Sequence, residues 1–275
     1  MARRLQQAGH TVHAWNRTQS KADPLAALGI AVHATVAEAV RQADIVVSLL
    51  ENGPAVEHVL FHAGAAQAMR PGTLFIDMAS IQPREARDHA ARLGEMGLAH
   101  LDAPVSGGTV GAENGTLAIM AGGRAEDFAR AQPVFAALGR ATHVWPHGSG
   151  QLAKLANQMI VGITIGAVAE ALLFAAKGGA DMAKVREAIQ GGFADSRILQ
   201  LHGQRMVDRD FAPKARMGVQ LKDMRNALGT AKEIGFDAPV TTLFEALYAE
   251  GVEHGLGELD HSGLFVELAS RNAMQ

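Results

Sequence analysis

Two kinds of apolar pattern divide the chain. In the first half, short runs rich in β-branched and other apolar side chains lie at Thr11 to Asn16, Asp44 to Leu50 ("DIVVSLL"), Thr73 to Met78 ("TLFIDM"), His100 to Pro104 and Leu117 to Ala121. Runs of this length are read as strands, and their alternation with helical segments predicts a parallel sheet covered on both faces. Between the first two runs, Thr35 and Glu38 have the spacing of a capping box and open a short helix. Pro83 suits the first turn of another helix, which runs to about Met96.

After Trp145 the pattern changes. Helical stretches over 151–177, 181–190, 195–207, 218–234, 239–254 and 260–271 follow one another, separated by glycine, proline or aspartate breaks, with no strand run of comparable quality. The polar, glycine-bearing joint "HGSG" at His147 to Gly150 divides the chain into a first domain over 1–147 and an all-helical domain over 148–275. The most apolar run, Met159 to Ala176, contains Thr164 and Glu170 and is flanked by Lys154, Asn157 and Lys177. A membrane span needs about 20 predominantly apolar residues, so this run is read as a buried helix at a domain or subunit contact.

Composition narrows the chemistry. With 275 residues, 48% of them hydrophobic, the chain can bury a sizeable core, and a net charge of −3 gives no global attraction to nucleic acid or anionic lipid. The absence of cysteine excludes disulfides, thiolate metal sites and cysteine nucleophiles. The basic start is followed by "LQQAGHTVH", too polar for a signal peptide's apolar segment, which leaves a cytoplasmic location as the expectation. Twelve histidines are scattered without the spacing of a zinc helix, and no metal is assigned.

Four stretches carry candidate chemistry. In "HAWNRT" the end of a strand offers Asn16, Arg17 and Thr18 and no carboxylate; in a dinucleotide-binding unit a carboxylate there grips the ribose hydroxyls, whereas arginine accommodates a 2′-phosphate. That favours NADP(H) over NAD(H), against the alternative of a solvated strand end. In "LDAPVSGGTVGAENGTL" the Ser106 hydroxyl and the N–H groups of Gly107 and Gly108 can converge on an anion such as a carboxylate, or form only a tight surface loop. In "GSGQLAKLANQ" Lys154 and Asn157 are three apart, about 4.5 Å along a helix axis and on one face. A lysine at the start of an apolar helix is either a proton donor whose pKa desolvation lowers, or a solvated side chain. In "QLKDMRNAL" Lys222 and Asn226 share a face with Asp223 beside them, a pattern also typical of an ion-pair stripe.

Taken in order, "AGHTVHAWNRT", "DMASIQP", "DAPVSGGTVGAENGTL", "GSGQLAKLANQ" and "LKDMRNAL" resemble the β-hydroxyacid dehydrogenase family, which includes 3-hydroxyisobutyrate dehydrogenase and shares its architecture with 6-phosphogluconate dehydrogenase. The resemblance spans essentially the whole chain, and in the second half it is nearest to the tartronate semialdehyde reductase branch. It implies an α/β Rossmann domain followed by an all-α domain, a dimer or tetramer, and NAD(P)H-dependent reduction of a short aldehyde-acid to the β-hydroxyacid. Lys154 falls on the family's catalytic lysine and Asn157 on a substrate-orienting asparagine. Ser106, Gly107 and Gly108 match the loop that holds the substrate carboxylate, and Lys222 a lysine near substrate and nicotinamide. Asn16, Arg17, Thr18, Leu49, Leu50 and Ser80 fall on cofactor-contacting positions. Ala79 departs from the family's usual serine. Two rivals are an imine reductase, which commonly lacks the lysine, and a cofactor-binding scaffold without turnover.

Family members begin with a strand and a G-x-G-x-x-G loop, whereas Met1 and Ala2 align just inside the helix that follows. In strand order 3-2-1-4-5-6 that strand is central. The expectation is therefore a gap in the sheet between the Thr11 and Asp44 strands, and either a start codon set too late, a shortened chain or a protein that lacks the strand.

Overall fold

A computed structural model describes residues 1–274. Its contacts separate two compact units, 1–154 and 155–275. The strands are β1 (His13–Ala14), β2 (Ala31–Val32), β3 (Ile45–Ser48), β4 (Leu74–Asp77), β5 (Ala99–Asp102), β6 (Val105–Ser106), β7 (Leu117–Gly123) and β8 (Gly139–His143), all in the first unit.

β3, β4 and β5 pair in parallel; β7 then runs antiparallel to β5 and β6 but parallel to β8. The all-parallel expectation thus holds through β5, and the sheet is mixed beyond it. Every residue of β4 is buried because both faces are covered. Leu74 and Ile76 pack with Leu101, Leu117 and Phe135 on one side, while Phe75 packs with Ala86 and Leu93 of helix Pro83–Glu95 on the other. β1 and β2 form a separate two-stranded sheet. Among the described residues no strand hydrogen-bonds both β1 and β3, and β3 is only half-buried along its length.

β2, β6 and β8 were not legible as strands. The first two have two residues each, and "GRATH" carries a half-buried alternation with no continuous apolar run. The Thr35–Glu38 capping box forms as read: the Glu38 N–H donates to Thr35 Oγ1 at 3.3 Å and the Thr35 N–H to Glu38 Oε2 at 3.1 Å.

The second unit is helical. Its elements cover Met182–Ile189, Arg197–Asp208, Met217–Glu233, Pro239–Gly251 and Leu264–Arg271, close to the predicted stretches. They pack around Ile165, Val168 and Leu172 of the long helix Ser149–Lys177. That helix is long and apolar enough to cross a membrane by length and composition, but this row of its side chains is core. The compact units divide inside it, after Lys154, and its first turn is tied to the first unit.

Candidate active site

The start of the lysine helix is held by two polar side chains. Asp102 ends β5 and points to the same face of the sheet as His100, two residues earlier. Its Oδ1 accepts the Gly148 N–H at 2.8 Å and its Oδ2 the Gln151 N–H at 3.0 Å, satisfying donors that the first turn of a helix leaves without partners. Gly122 and Gly150 make this approach possible. A Cβ on Gly122 would meet the Asp102 carboxylate, and one on Gly150 would meet the carbonyls of Met120 and Asp102.

Gln151, fully buried, completes the anchor from the other side. Its Oε1 accepts the Ile81 N–H at 3.1 Å, and its Nε2 donates to the Ala79 carbonyl at 2.8 Å. Two side chains thereby fix the helix to the segments after β4 and β5, one turn before Lys154. Lys154 itself is buried, with 9% of its surface exposed. Neither Asp102 nor Gln151 was singled out from the sequence, although both sit in quoted motifs. A carboxylate ending a strand and a glutamine three residues before a lysine have no chemical signature until the fold joins them.

Burial pushes Asp102 up to about 6, against the opposing pull of the backbone N–H groups it accepts. Asp77, its register partner on β4, is pushed by burial up to about 7; the Ala79 N–H opposes this at 3.0 Å, and the charge of Asp102 adds to it.

The remaining first-unit candidates lie at the carboxyl ends of strands, the side on which open α/β sheets bind ligands. Asn16, Arg17 and Thr18 follow β1 and are exposed, and Asn16 Oδ1 accepts the Thr18 N–H at 2.9 Å in a local turn. Leu49, exposed, and Leu50, half-buried, follow β3, and Ser80 follows β4. Ser106 lies in β6, paired with Ala118, while Gly107 and Gly108 take positive φ values of 133° and 62° and start a short helix.

In the second unit Asn157 and Lys222 join one polar chain. Asn157 Nδ2 donates to Gln158 Oε1 at 2.8 Å, and Gln158 Nε2 donates to Asp223 Oδ2 at 2.7 Å. Lys222 Nζ lies 3.1 Å from Asp223 Oδ1. The sequence placed Lys222 on a candidate face; Gln158, which bridges it to Asn157, was missed. Gln220 secures the bridge by donating to the Gln158 carbonyl at 2.9 Å.

Exposed polar strand ends, followed by a helix that carries a buried lysine, fit a dinucleotide-dependent oxidoreductase. Comparison with known proteins then fixes the family. Residues 1–148 match the NAD-binding domain of 6-phosphogluconate dehydrogenase, and residues 148–268 match the NAD-binding domain of NADP-dependent 3-hydroxyisobutyrate dehydrogenase. The chain belongs to this family of NAD(P)-dependent β-hydroxyacid dehydrogenases. It is 42% identical over 266 residues to 2-hydroxy-3-oxopropionate reductase of Escherichia coli, covering 96% of this chain and 91% of that protein. It is 33% identical to the NAD-dependent L-serine dehydrogenase of Pseudomonas aeruginosa, covering 95% and 91% of the two chains. The structure of Mycobacterium tuberculosis 3-hydroxyisobutyrate dehydrogenase with L-serine superposes with a TM-score of 0.89 at 31% identity, covering 97% of this chain and 94% of that one.

Proposed function

We propose that the chain reduces a short aldehyde-acid of the tartronate semialdehyde type to its β-hydroxyacid, with NADPH preferred as reductant. The observation that carries this reading is the buried Lys154, one turn beyond an anchor made by Asp102 and Gln151. The similarity to 2-hydroxy-3-oxopropionate reductase supports the substrate class.

The present residues suit a dinucleotide at two places. Arg17 is exposed on the turn after β1, where a 2′-phosphate is accommodated, and Leu49, Leu50 and Ser80 follow the neighbouring strand ends. The bound cofactor supplies a hydride to the carbonyl carbon of the substrate.

Lys154 donates a proton to the substrate oxygen as the carbonyl becomes a hydroxyl, and removes that proton in the reverse direction. Asn157 orients the substrate, and its own amide is oriented by Gln158. Ser106 and the N–H groups of Gly107 and Gly108 hold the substrate carboxylate, with Lys222 as a second cation. Its ion pair with Asp223 limits its reach. A dimer or tetramer accompanies this reading, because Phe174 and Ile160 of the long helix are exposed apolar side chains.

The test is NADPH oxidation with tartronate semialdehyde beside direct NADPH binding. Saturable turnover supports the reductase; binding without turnover of any aldehyde-acid assigns a scaffold. Faster turnover of cyclic imines than of aldehyde-acids assigns an imine reductase instead.

A further inference from the structure

Six of the nine buried side-chain atoms that lack a hydrogen-bond partner among the described residues belong to one region of the first unit. They are Ser48 Oγ, Asp77 Oδ2, His89 Nδ1, both ring nitrogens of His100 and His147 Nδ1. His100 is the most anomalous. Its ring is 98% removed from solvent, as its 2% exposure shows, and neither nitrogen is satisfied. A buried imidazole in that state has lost its hydration without replacement, a cost on the order of 1–3 kcal/mol for each unsatisfied group.

The neighbours of His100 point to what would satisfy it. His100 and Asp102 project to one face of β5, and His147 comes from the loop just before the lysine helix. The His100 and His147 ring centroids are 5.6 Å apart, and Phe75 closes the opposite side of His100 at 6.1 Å. One ligand atom from each of His100, Asp102 and His147 lies within 4.8 Å of the other two. Ligands at zinc distances sit about 3.3 Å apart around a tetrahedral ion, so side-chain movements on the order of 1 Å close the set.

We propose that His100, Asp102 and His147 form a binding site for a divalent transition-metal cation of the zinc type. Two imidazoles and a carboxylate are the ligand chemistry of such ions. Asp102 makes no ion pair among the described residues, so its charge is opposed only by backbone N–H groups, which also orient the carboxylate. The cation would staple the end of β5 to the loop that leads into the lysine helix. Its place is structural, because His147 lies in the loop before the helix that carries Lys154.

A second set with similar spacing shows what the first lacks. His202, Asp260 and His261 also bring ligand atoms within 4.8 Å, but Arg205 Nη1 already lies 2.8 Å from Asp260 Oδ2. Asp260 also accepts the Ser262 hydroxyl at 2.7 Å and the Ala215 N–H at 3.1 Å. That carboxylate has its counter-cation and its donors. The Asp102 set has the donors and no cation.

The test uses the full chain, stripped with a chelator and then given Zn²⁺ or Co²⁺. Desalted protein should retain about one equivalent of metal, and Zn²⁺ should raise the melting midpoint by about 5 °C or more. Co²⁺ should give the visible absorption of a low-coordinate histidine site. His147→Ala and His100→Phe should each lower affinity at least tenfold, whereas His202→Ala should leave it unchanged. Since His147 is partly exposed, its variant keeps the test valid if His100→Phe does not fold. Retention far below one equivalent by the wild-type chain overturns the proposal. So does binding that survives both variants and is lost in His13→Ala, which would place the metal at the surface pair where His13 Nδ1 and His33 Nε2 are 2.8 Å apart.

Discussion

The start of the lysine helix and the turn after β1, the two regions the proposed reaction draws on, are built in opposite ways. At the helix start, Asp102 and Gln151 are fully buried and make four hydrogen bonds that reach 46 to 72 residues along the chain. At the turn, Asn16, Arg17 and Thr18 are exposed, and the bond from the Thr18 N–H to Asn16 Oδ1 spans two residues. The difference teaches where precision is needed. The proposed proton transfer tolerates little misplacement of Lys154, and its helix is fixed by long-range buried bonds. Selection between a phosphate and a hydroxyl needs only a charge on a solvated turn.

The largest expected effect is chemical. Lys154→Met should lower turnover by about 100-fold or more with cofactor affinity little changed, measured by steady-state kinetics and NADPH titration. Near-normal turnover would remove the lysine from the mechanism and leave its anchor without a purpose.

Asp260 tests whether long-range anchoring itself sets the cost, away from the proposed chemistry. Asp260→Ala leaves Arg205 without its buried partner and should destabilise the chain by about 3 kcal/mol in chemical denaturation. Burial pushes the Asp260 carboxyl up, but the His202 ring 3.6 Å away, the Ser262 hydrogen bond and nearby positive charge outweigh it and hold the group well below its usual value of 3.8. A depressed folded-state pKa contributes stability that is present above 3.8 and is lost as pH falls toward the folded value. Wild-type melting temperature should therefore drop below that pH, and Asp260→Asn should flatten this part of the curve.

Gln151→Leu should cost about 2 kcal/mol, because the Ile81 N–H and the Ala79 carbonyl lose a buried partner. It sharpens the comparison through kinetics as well. A positioning residue for Lys154 should lower kcat about tenfold with KM nearly constant, whereas loss of stability alone would leave both constants per folded molecule unchanged.

Arg17→Ala should give the smallest structural effect, within about 0.5 kcal/mol of wild type in stability. Its consequence should appear in selectivity, as roughly a tenfold fall in the NADPH to NADH ratio of kcat/KM. A large loss of stability would show that the turn is anchored after all.

Elements with strong local patterns could be read directly. "TLFIDM" became β4 because a continuous apolar run suits a strand covered on both sides, and the Thr35–Glu38 box formed because its partners are three residues apart. Pro83 starts a helix for the same local reason. By contrast, β2 and β6 exist only through their partners, since two residues carry no usable period. β7 reversed direction against β5, a choice made by the sheet and the "PVSGG" turn rather than by apolar content. Strand content was local information; strand direction was not.

The same division runs through the site. The sequence by itself determined the helical spacing of Lys154 and Asn157, the carboxylate-free end of β1 and the absence of thiol chemistry, because residue type and short periods carry these facts. Only the tertiary structure decided that Asp102 and Gln151 grip the helix start, that Gln158 links Asn157 to Asp223, and that His100, Asp102 and His147 converge. The physical reason is burial. A polar side chain removed from water must find a partner wherever the fold brings one, and that partner can lie seventy-two residues away, as for Gln151 and Ala79.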